Sequence, residues 1–220
     1  IPIPEIYGIL QEKDSKRRFL FMSRAPGEPL DSRWDSLDKA QKPSVQMQLD
    51  SMMRDLRSIR LPPSMDGDAV LGNGKPRRCK DARTQMRVAS EPVSDEHGFN
   101  RFLTFNPQRS ETCTIGMIRS HLETDHKSMM THGDLHPRNI MVALNPQADS
   151  PDSSVSKVSI TALLDWEMCG LYPEYWEYVK ALHTISPGTG CDDWWAYLPH
   201  SIGVWPREHA VDLMLSRWHG

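Results

Sequence analysis

The chain has 220 residues, enough for one domain or two small lobes around a real core. Its 38% hydrophobic share, 25% charged share and formal net charge of −3 are ordinary for a globular protein and exclude a global basic field for nucleic acid or an anionic membrane. No apolar run approaches the roughly 18 residues needed to span a bilayer and no signal-peptide pattern is visible, so the expectation is a cytoplasmic protein with no membrane partner.

Ile1 to Gly8 is extended and punctuated by proline; it opens Ile1-Pro2-Ile3-Pro4 without an initiator Met, which suits a piece of a longer chain. Ile9-Leu10 and Phe19 to Met22 read as two short strands across the charged turn Gln11 to Arg18, a hairpin. Ala25 to Leu30 breaks that pattern and connects. From Pro43 to Ile59, the residues Val45, Leu49, Met52, Leu56 and Ile59 recur at spacings of three and four, which predicts an amphipathic helix stopped by Pro62-Pro63. Its methionines read as core packing. Met65 to Ser94, rich in Gly, Pro and charge, is expected to be a long irregular loop of the kind that carries specificity. The basic runs Lys16-Arg17-Arg18 and Lys75 to Lys80 fall in turn-rich stretches and read as solvated surface.

Glu96 to Phe105 and Cys113 to His126 follow as helices. Met129 to His132, Asn139 to Leu144 and Val158 to Leu164 read as strands, with a polar loop from Asn145 to Ser156. Glu174 to His183, Asp192 to Leu198 and Arg207 to Trp218 are helical by pattern. The four cysteines, Cys79, Cys113, Cys169 and Cys191, form no CxxC pair and are expected to be reduced thiols.

The chemistry concentrates in His132-Gly133-Asp134-Leu135-His136-Pro137-Arg138-Asn139 and in Leu163-Leu164-Asp165-Trp166-Glu167. A strand ends at His132, Gly133 permits a tight turn, and Asp134 is presented on a loop; Asp165 sits at the tip of a second strand. Phosphoryl transfer to a hydroxyl needs one carboxylate to align the acceptor and take its proton. It also needs a neutral oxygen and a second carboxylate to hold Mg²⁺ against the nucleotide phosphates. Asp134, Asn139 and Asp165 supply that inventory.

HGDLHPRN followed by LLDWE and by Tyr172-Pro173-Glu174-Tyr175-Trp176-Glu177 resembles the aminoglycoside phosphotransferase and choline kinase-like superfamily. With GLYPEYWEYVKAL and MSRAPGEPL the resemblance is strongest to the large fungal group of phosphotransferase-family proteins. It implies an α+β, protein-kinase-like fold with a truncated N-terminal lobe and a mostly helical C-terminal lobe. Residues 1–25 would be the remnant of the first lobe with the hinge, and residues 26–220 the catalytic lobe. It implies ATP and Mg²⁺ as cofactors and a small-molecule hydroxyl as acceptor. Asp134 would be the catalytic base, Asn139 and Asp165 the metal ligands, and Glu167 a further metal or supporting group. Ser23, Arg24 and Ala25 would meet the adenine, with His132 and Asn139 organising the nucleotide side. Met65 to Phe105 and Trp194 to Trp205 are the stretches expected to border the acceptor.

Rival readings stand beside these. Asp134 and Asn139 are also ordinary turn formers. His132 and His136 have a zinc-ligand spacing only on a helix, which Gly133 and Pro137 disfavour, so His132 reads as a buried, hydrogen-bonded histidine. Tyr172, Tyr175, Trp176 and Tyr178 read as core packing before a stacking box, and Trp194-Trp195 leans the same way less firmly. In the resembling family a glycine-rich loop and a lysine precede the IPIPEIYG-like segment; Gly72-Asn73-Gly74-Lys75 lacks the flanking strand and helix to replace them. A lysine about 4 Å from a phosphate charge is worth up to ~4 kcal/mol, or on the order of a thousandfold in rate. If the 220 residues were the whole protein, kinase activity should therefore be poor. The alternatives are a catalytically impaired binding or interaction protein, with a partner or further segment completing the lobe, and a kinase-like scaffold reused on another small metabolite.

Overall fold

The computed structural model describes residues 1–13, 15, 17–60, 71–72, 74, 77–82, 86–105, 113–146, 156–183, 188 and 190–219. Residues 145–146, 156 and 218–219 are described in their backbone alone. The expected hairpin forms as β1 (Ile6–Gln11) and β2 (Arg18–Met22), antiparallel with Leu10 opposite Phe19. It carries its apolar side chains outward: Ile6, Tyr7, Ile9, Leu10, Phe19, Leu20, Phe21 and Met22 are all exposed. Lys16, in the first basic run, lies outside the described residues.

Beyond the hairpin, β3 (Glu28–Pro29) pairs with β7 (Ile140–Pro146), which pairs with β8 (Ser156–Leu163). The chain crosses onto this sheet through a close approach. Gly27 has φ +88°, and a Cβ there would stand 2.1 Å from the Val142 carbonyl oxygen. Most of the polar connection between β7 and β8 lies outside the described residues.

Helix α1 (Gln41–Ser58) lies on this sheet. It begins two residues before Pro43, because proline in the first turn needs no N–H. Asp38 Oδ1 accepts the Ala40 and Gln41 N–H groups, and Gln41 returns a bond to the Asp38 N–H. Gln48 clips the helix to β8, donating to the Val158 carbonyl at 3.1 Å and accepting from the Ile160 N–H at 2.9 Å. The buried stripe is Val45, Leu49, Met53 and Leu56. Met52 is only partly buried, and Ile59 is the exposed C-cap: a full helical turn favours Met53, four residues after Leu49. Leu30, Trp34, Ile140, Val158, Leu163 and Trp194 complete this core.

A second core gathers the remaining elements. It is formed by β9 (Gly170–Pro173), whose partner strand is β6 (Ser128–Thr131), with α2 (Glu96–Thr104), α3 (Cys113–Arg119), α4 (Trp176–His183) and α5 (Pro206–His219). Asp95 caps α2 through the Gly98 N–H. The helix expected to run to His126 ends at Arg119, and the one expected from Glu174 starts at Trp176. Asp192 to Leu198 contains a 3₁₀ turn (Trp194–Tyr197) in place of a longer helix.

The stretch from Met65 to Ser94 is less irregular than its composition suggests, where it is described. Leu71 and Cys79 are in the core, and β4 (Lys80–Ala82) pairs with β5 (Met86–Val88). The fully buried Asp81 carboxylate explains this order. Lys180 of α4 reaches it at 3.2 Å and Arg87 at 2.8 Å. Three-residue strands show no readable period, and their anchor comes from ninety-nine residues downstream. Gly72 is buried and bridges Leu171, a packing position unlike an open phosphate loop; Asn73 and Lys75 lie outside the described residues. No helix among the described residues is long and apolar enough to cross a membrane.

Candidate active site

β6 delivers Thr131, and the chain then turns sharply at Gly133 (φ +81°), where a Cβ would meet the Met168 carbonyl oxygen at 2.7 Å. The backbone N–H groups of His132 and Gly133 point into the Glu177 carboxylate, at 2.5 and 3.2 Å. Glu177 is fully buried on α4, and burial pushes its carboxyl above the usual range against the opposing pull of His132, those two N–H bonds and Arg57. Burial likewise lowers Arg57, which the charges of Glu177 and Glu174 offset. Cys169, next to this group, is pushed up to about 12 by burial and by Glu177, which makes it a poor nucleophile.

His132 is buried as expected. Its Nε2 meets the Leu164 carbonyl at 2.9 Å, and its ring stands edge-on to Trp166 with centroids 4.5 Å apart. This ties the HGD turn directly to the Leu164-Asp165-Trp166 turn. The second tie is Asn139, at the end of a 3₁₀ turn (Pro137–Asn139), whose carbonyl accepts the Leu164 N–H at 2.8 Å. Asn139 also donates Nδ2 to the Asp134 carbonyl at 3.0 Å and to Asp134 Oδ2 at 2.8 Å. The two motifs, far apart in sequence, therefore share one backbone ladder.

Asp165 is the only non-glycine residue with positive φ among those described, at φ 59° and ψ 67°. That conformation costs an L-residue roughly 1–2 kcal/mol and turns the side chain out of the strand. Its carboxylate is exposed and bonds no described residue. Asn139 Oδ1 is also without a described hydrogen bond. These hard oxygens fit Mg²⁺, with Asn139 and Asp165 as the groups that would hold it. Asp134, Asp165 and Glu167 do not close as a trio within 4.8 Å, so they form no all-protein cage. Mg²⁺ keeps waters and shares phosphate oxygens, so it requires no such cage. Glu167 is exposed on the 3₁₀ turn Trp166–Met168, with its carbonyl accepting from Lys80 at 3.0 Å.

Ser23, Arg24 and Ala25 follow the hairpin. Ser23 pairs with Glu5 through both backbone and side chain, and Leu163 donates to the Pro2 carbonyl at 2.9 Å. Together with Pro4, Met141 and Leu164 the three line a cavity of 470 Å³, within the size range of small-ligand sites. Its floor ends at Leu164, one residue from Asp165.

The model of the phosphotransferase enzyme family matches residues 1–197. The chain belongs to the phosphotransferase enzyme family. Solved structures like this family member include the GDP complex of wild-type aminoglycoside 2'-phosphotransferase-IIIa, with a TM-score of 0.56 at 16% identity, covering 99% of this chain and 67% of that one. The GDP and kanamycin complex of APH(2")-IIia gives a TM-score of 0.55 at 16% identity, covering 98% and 65%. At that identity the likeness establishes the kinase-like α+β fold, and the phosphotransferase chain spans about two thirds of the length of those structures. No curated protein matches its sequence significantly.

Several contributions were not readable from the motifs. Glu177 lies in the Tyr172–Glu177 motif, but its bonds to the His132 and Gly133 N–H groups leave no sign in the sequence. Arg138, 3.4 Å from both Asp134 carboxylate oxygens, lies inside the HGD motif but has no assigned part in it. Met141 and Leu164 read as plain strand residues. The aromatic group packs as expected, with Tyr172, Tyr175 and Trp176 buried. Trp194 is buried against Trp34, and Trp195 is exposed, so these two do not act as a pair.

Proposed function

We propose that this chain carries the catalytic and metal-binding side of an ATP- and Mg²⁺-dependent phosphotransferase that acts on a hydroxyl of a small molecule. The observation that carries the reading is the hydrogen-bonded line Asp134–Asn139–Leu164 ending at the out-turned Asp165, beside the Ser23–Ala25 cavity. In this reading Asp134 aligns the acceptor hydroxyl and takes its proton. Asn139 fixes the Asp134 rotamer and offers Oδ1 to the metal, and Asp165 offers its carboxylate. Mg²⁺ would neutralise the charge that builds on the transferring phosphoryl group. Ser23 to Ala25 would hold the base by backbone groups, with Met141 and Leu164 as an apolar floor.

The division at Ala25 and a cytoplasmic setting belong to the same reading. So does further polypeptide, from the same chain or a partner, over the β1–β2 hairpin; the eight exposed apolar side chains there support it. Thermal-shift titration with nucleotide and Mg²⁺ tests the core of the reading. Because the solved neighbours hold GDP, both ATP and GTP belong in it, with kanamycin as a first acceptor. Nucleotide at 100 times its dissociation constant should add ~2.7 kcal/mol of stability. No stabilisation at millimolar nucleotide, by a chain that is otherwise folded, refutes nucleotide binding by these residues.

A further inference from the structure

Away from the HGD turn, Glu123, His126 and Glu208 bring one ligand atom each to within 4.8 Å of one another. His126 lies on the turn before β6. Its side chain is 7% exposed and is wedged between the ring edges of Tyr175 and Trp205, at 4.7 and 5.3 Å. Both of its inward nitrogens go to one partner: the backbone N–H to Glu96 Oε2 at 2.9 Å, and Nδ1 to Glu96 Oε1 at 2.7 Å. In the tautomer that donates from Nδ1 to Glu96, Nε2 carries the free lone pair of the ring.

That lone pair faces more negative charge. Nε2 makes no hydrogen bond to a described residue, and its nearest carboxylate is Glu208 Oε1 at 4.0 Å. At 4.0 Å that contact is longer than a hydrogen bond. Glu123 pairs with Arg207 through Oε1, which leaves its other oxygen to bind.

We propose that Glu123, His126 and Glu208 form a binding site for a divalent transition-metal ion, with Zn²⁺ as the type. One imidazole and two carboxylates, the imidazole oriented by an outer carboxylate, are a donor set suited to that ion, with water in the remaining position. Zinc bonds of about 2.0–2.2 Å need ligand atoms roughly 3.3 Å apart. Binding would draw in Glu123, 43% exposed, and Glu208, in the first turn of α5, by about 1 Å. The bound ion ties α5 to the turn that feeds β6 and, through it, His132 and Asp134. The site is separate from the proposed Mg²⁺ position and does not depend on that reading.

The test uses the untagged, metal-stripped chain at pH 7.5, titrated with Zn²⁺ by calorimetry and with Co²⁺ by visible absorption. The expected result is one ion per chain with a visible Co²⁺ band, displaced by Zn²⁺, and a raised melting temperature. Glu208→Gln and His126→Gln each weaken binding at least tenfold. Should either unfold, Glu123→Gln decides, because that side chain is half out in solvent; it too weakens binding severalfold. Asp165→Asn leaves the Zn²⁺ affinity unchanged. Absent stoichiometric binding, or equal affinity in folded Glu123→Gln and Glu208→Gln, overturns the proposal.

Discussion

The carboxylate of Glu177 accepts the backbone N–H of His132 at 2.5 Å. A helix in the second core thus holds the peptide that starts the HGD turn. Leu164 and Trp166 hold the same histidine from the other side. Gly133 completes the arrangement by giving Glu177 its second N–H without a Cβ in the way of Met168. The start of the HGD turn is accordingly set by groups that perform no chemistry themselves.

Glu177→Gln should destabilise the chain by about 1–3 kcal/mol, since an amide accepts one of the two N–H groups and turns its own N–H toward the other. The pH dependence has a definite sign. The folded carboxyl is raised above 4.5, so the folded state holds the proton more tightly than the unfolded. The stabilisation from Glu177 is full below about pH 4.5 and declines as pH rises through the folded value. The deficit of the variant relative to wild type should therefore be largest at acid pH and shrink toward neutrality. Urea denaturation of both proteins at several pH values measures it, and a deficit that grows with pH contradicts the assignment.

Asp165 separates backbone from carboxylate by the choice of substitution. Asp165→Gly relieves the left-handed conformation and should leave stability within about 1 kcal/mol of wild type, while Asp165→Val should lose roughly 1–2 kcal/mol or more. Both remove the carboxylate and should abolish Mg²⁺-dependent nucleotide binding. If Asp165→Gly binds Mg²⁺-nucleotide normally in calorimetry, the ligand assignment is wrong.

What the sequence revealed follows from where each signal resides. Asp134, Asn139 and Asp165 stand out as candidates in the sequence because each has its turn setting and flanking residues within a few positions of itself. The α1 stripe was legible from its period, although one step in it, Met52 for Met53, needed the packing partner to resolve. The bonds from Glu177 to the HGD turn and the Asp81–Lys180 pair were not legible. Each acts through a contact spanning tens of residues, and each residue type alone is unremarkable. The β4–β5 pair failed for a related reason: three-residue strands carry no pattern, and a buried ion pair leaves none in a single chain.

Gly27→Ala tests whether the cavity depends on the crossing onto β7. A methyl group there lies 2.1 Å from the Val142 carbonyl, and φ +88° is unfavourable for any L side chain. The backbone must shift, so a loss of stability of about 2 kcal/mol or more is expected, with weaker nucleotide binding even though no Mg²⁺ ligand is altered. Binding measured well below the variant's melting temperature separates a reshaped cavity from simple unfolding. Unchanged affinity would detach the cavity from the nucleotide.

The sharpest test falls on the Asp134–Asn139 pair, because its two members should fail differently. In Asp134→Asn the new side chain still has an oxygen for Asn139 Nδ2, so the turn keeps its shape. What is lost is the proton acceptor and the exposed ion pair with Arg138, the latter worth at most about 1 kcal/mol. Turnover, read as nucleoside diphosphate released by a catalytically competent chain, should drop by about 10²–10⁴-fold, with nucleotide affinity within a few-fold of wild type. Asn139→Ala instead removes two hydrogen bonds that hold Asp134 and the oxygen offered to the metal. It should cost about 1–2 kcal/mol of stability and weaken Mg²⁺-nucleotide binding together with turnover. A merely structural turn would show the reverse ordering: stability lost in both variants and no selective loss of turnover in Asp134→Asn. Equal turnover in Asp134→Asn and wild type would remove Asp134 from the chemistry while leaving the metal ligands in place.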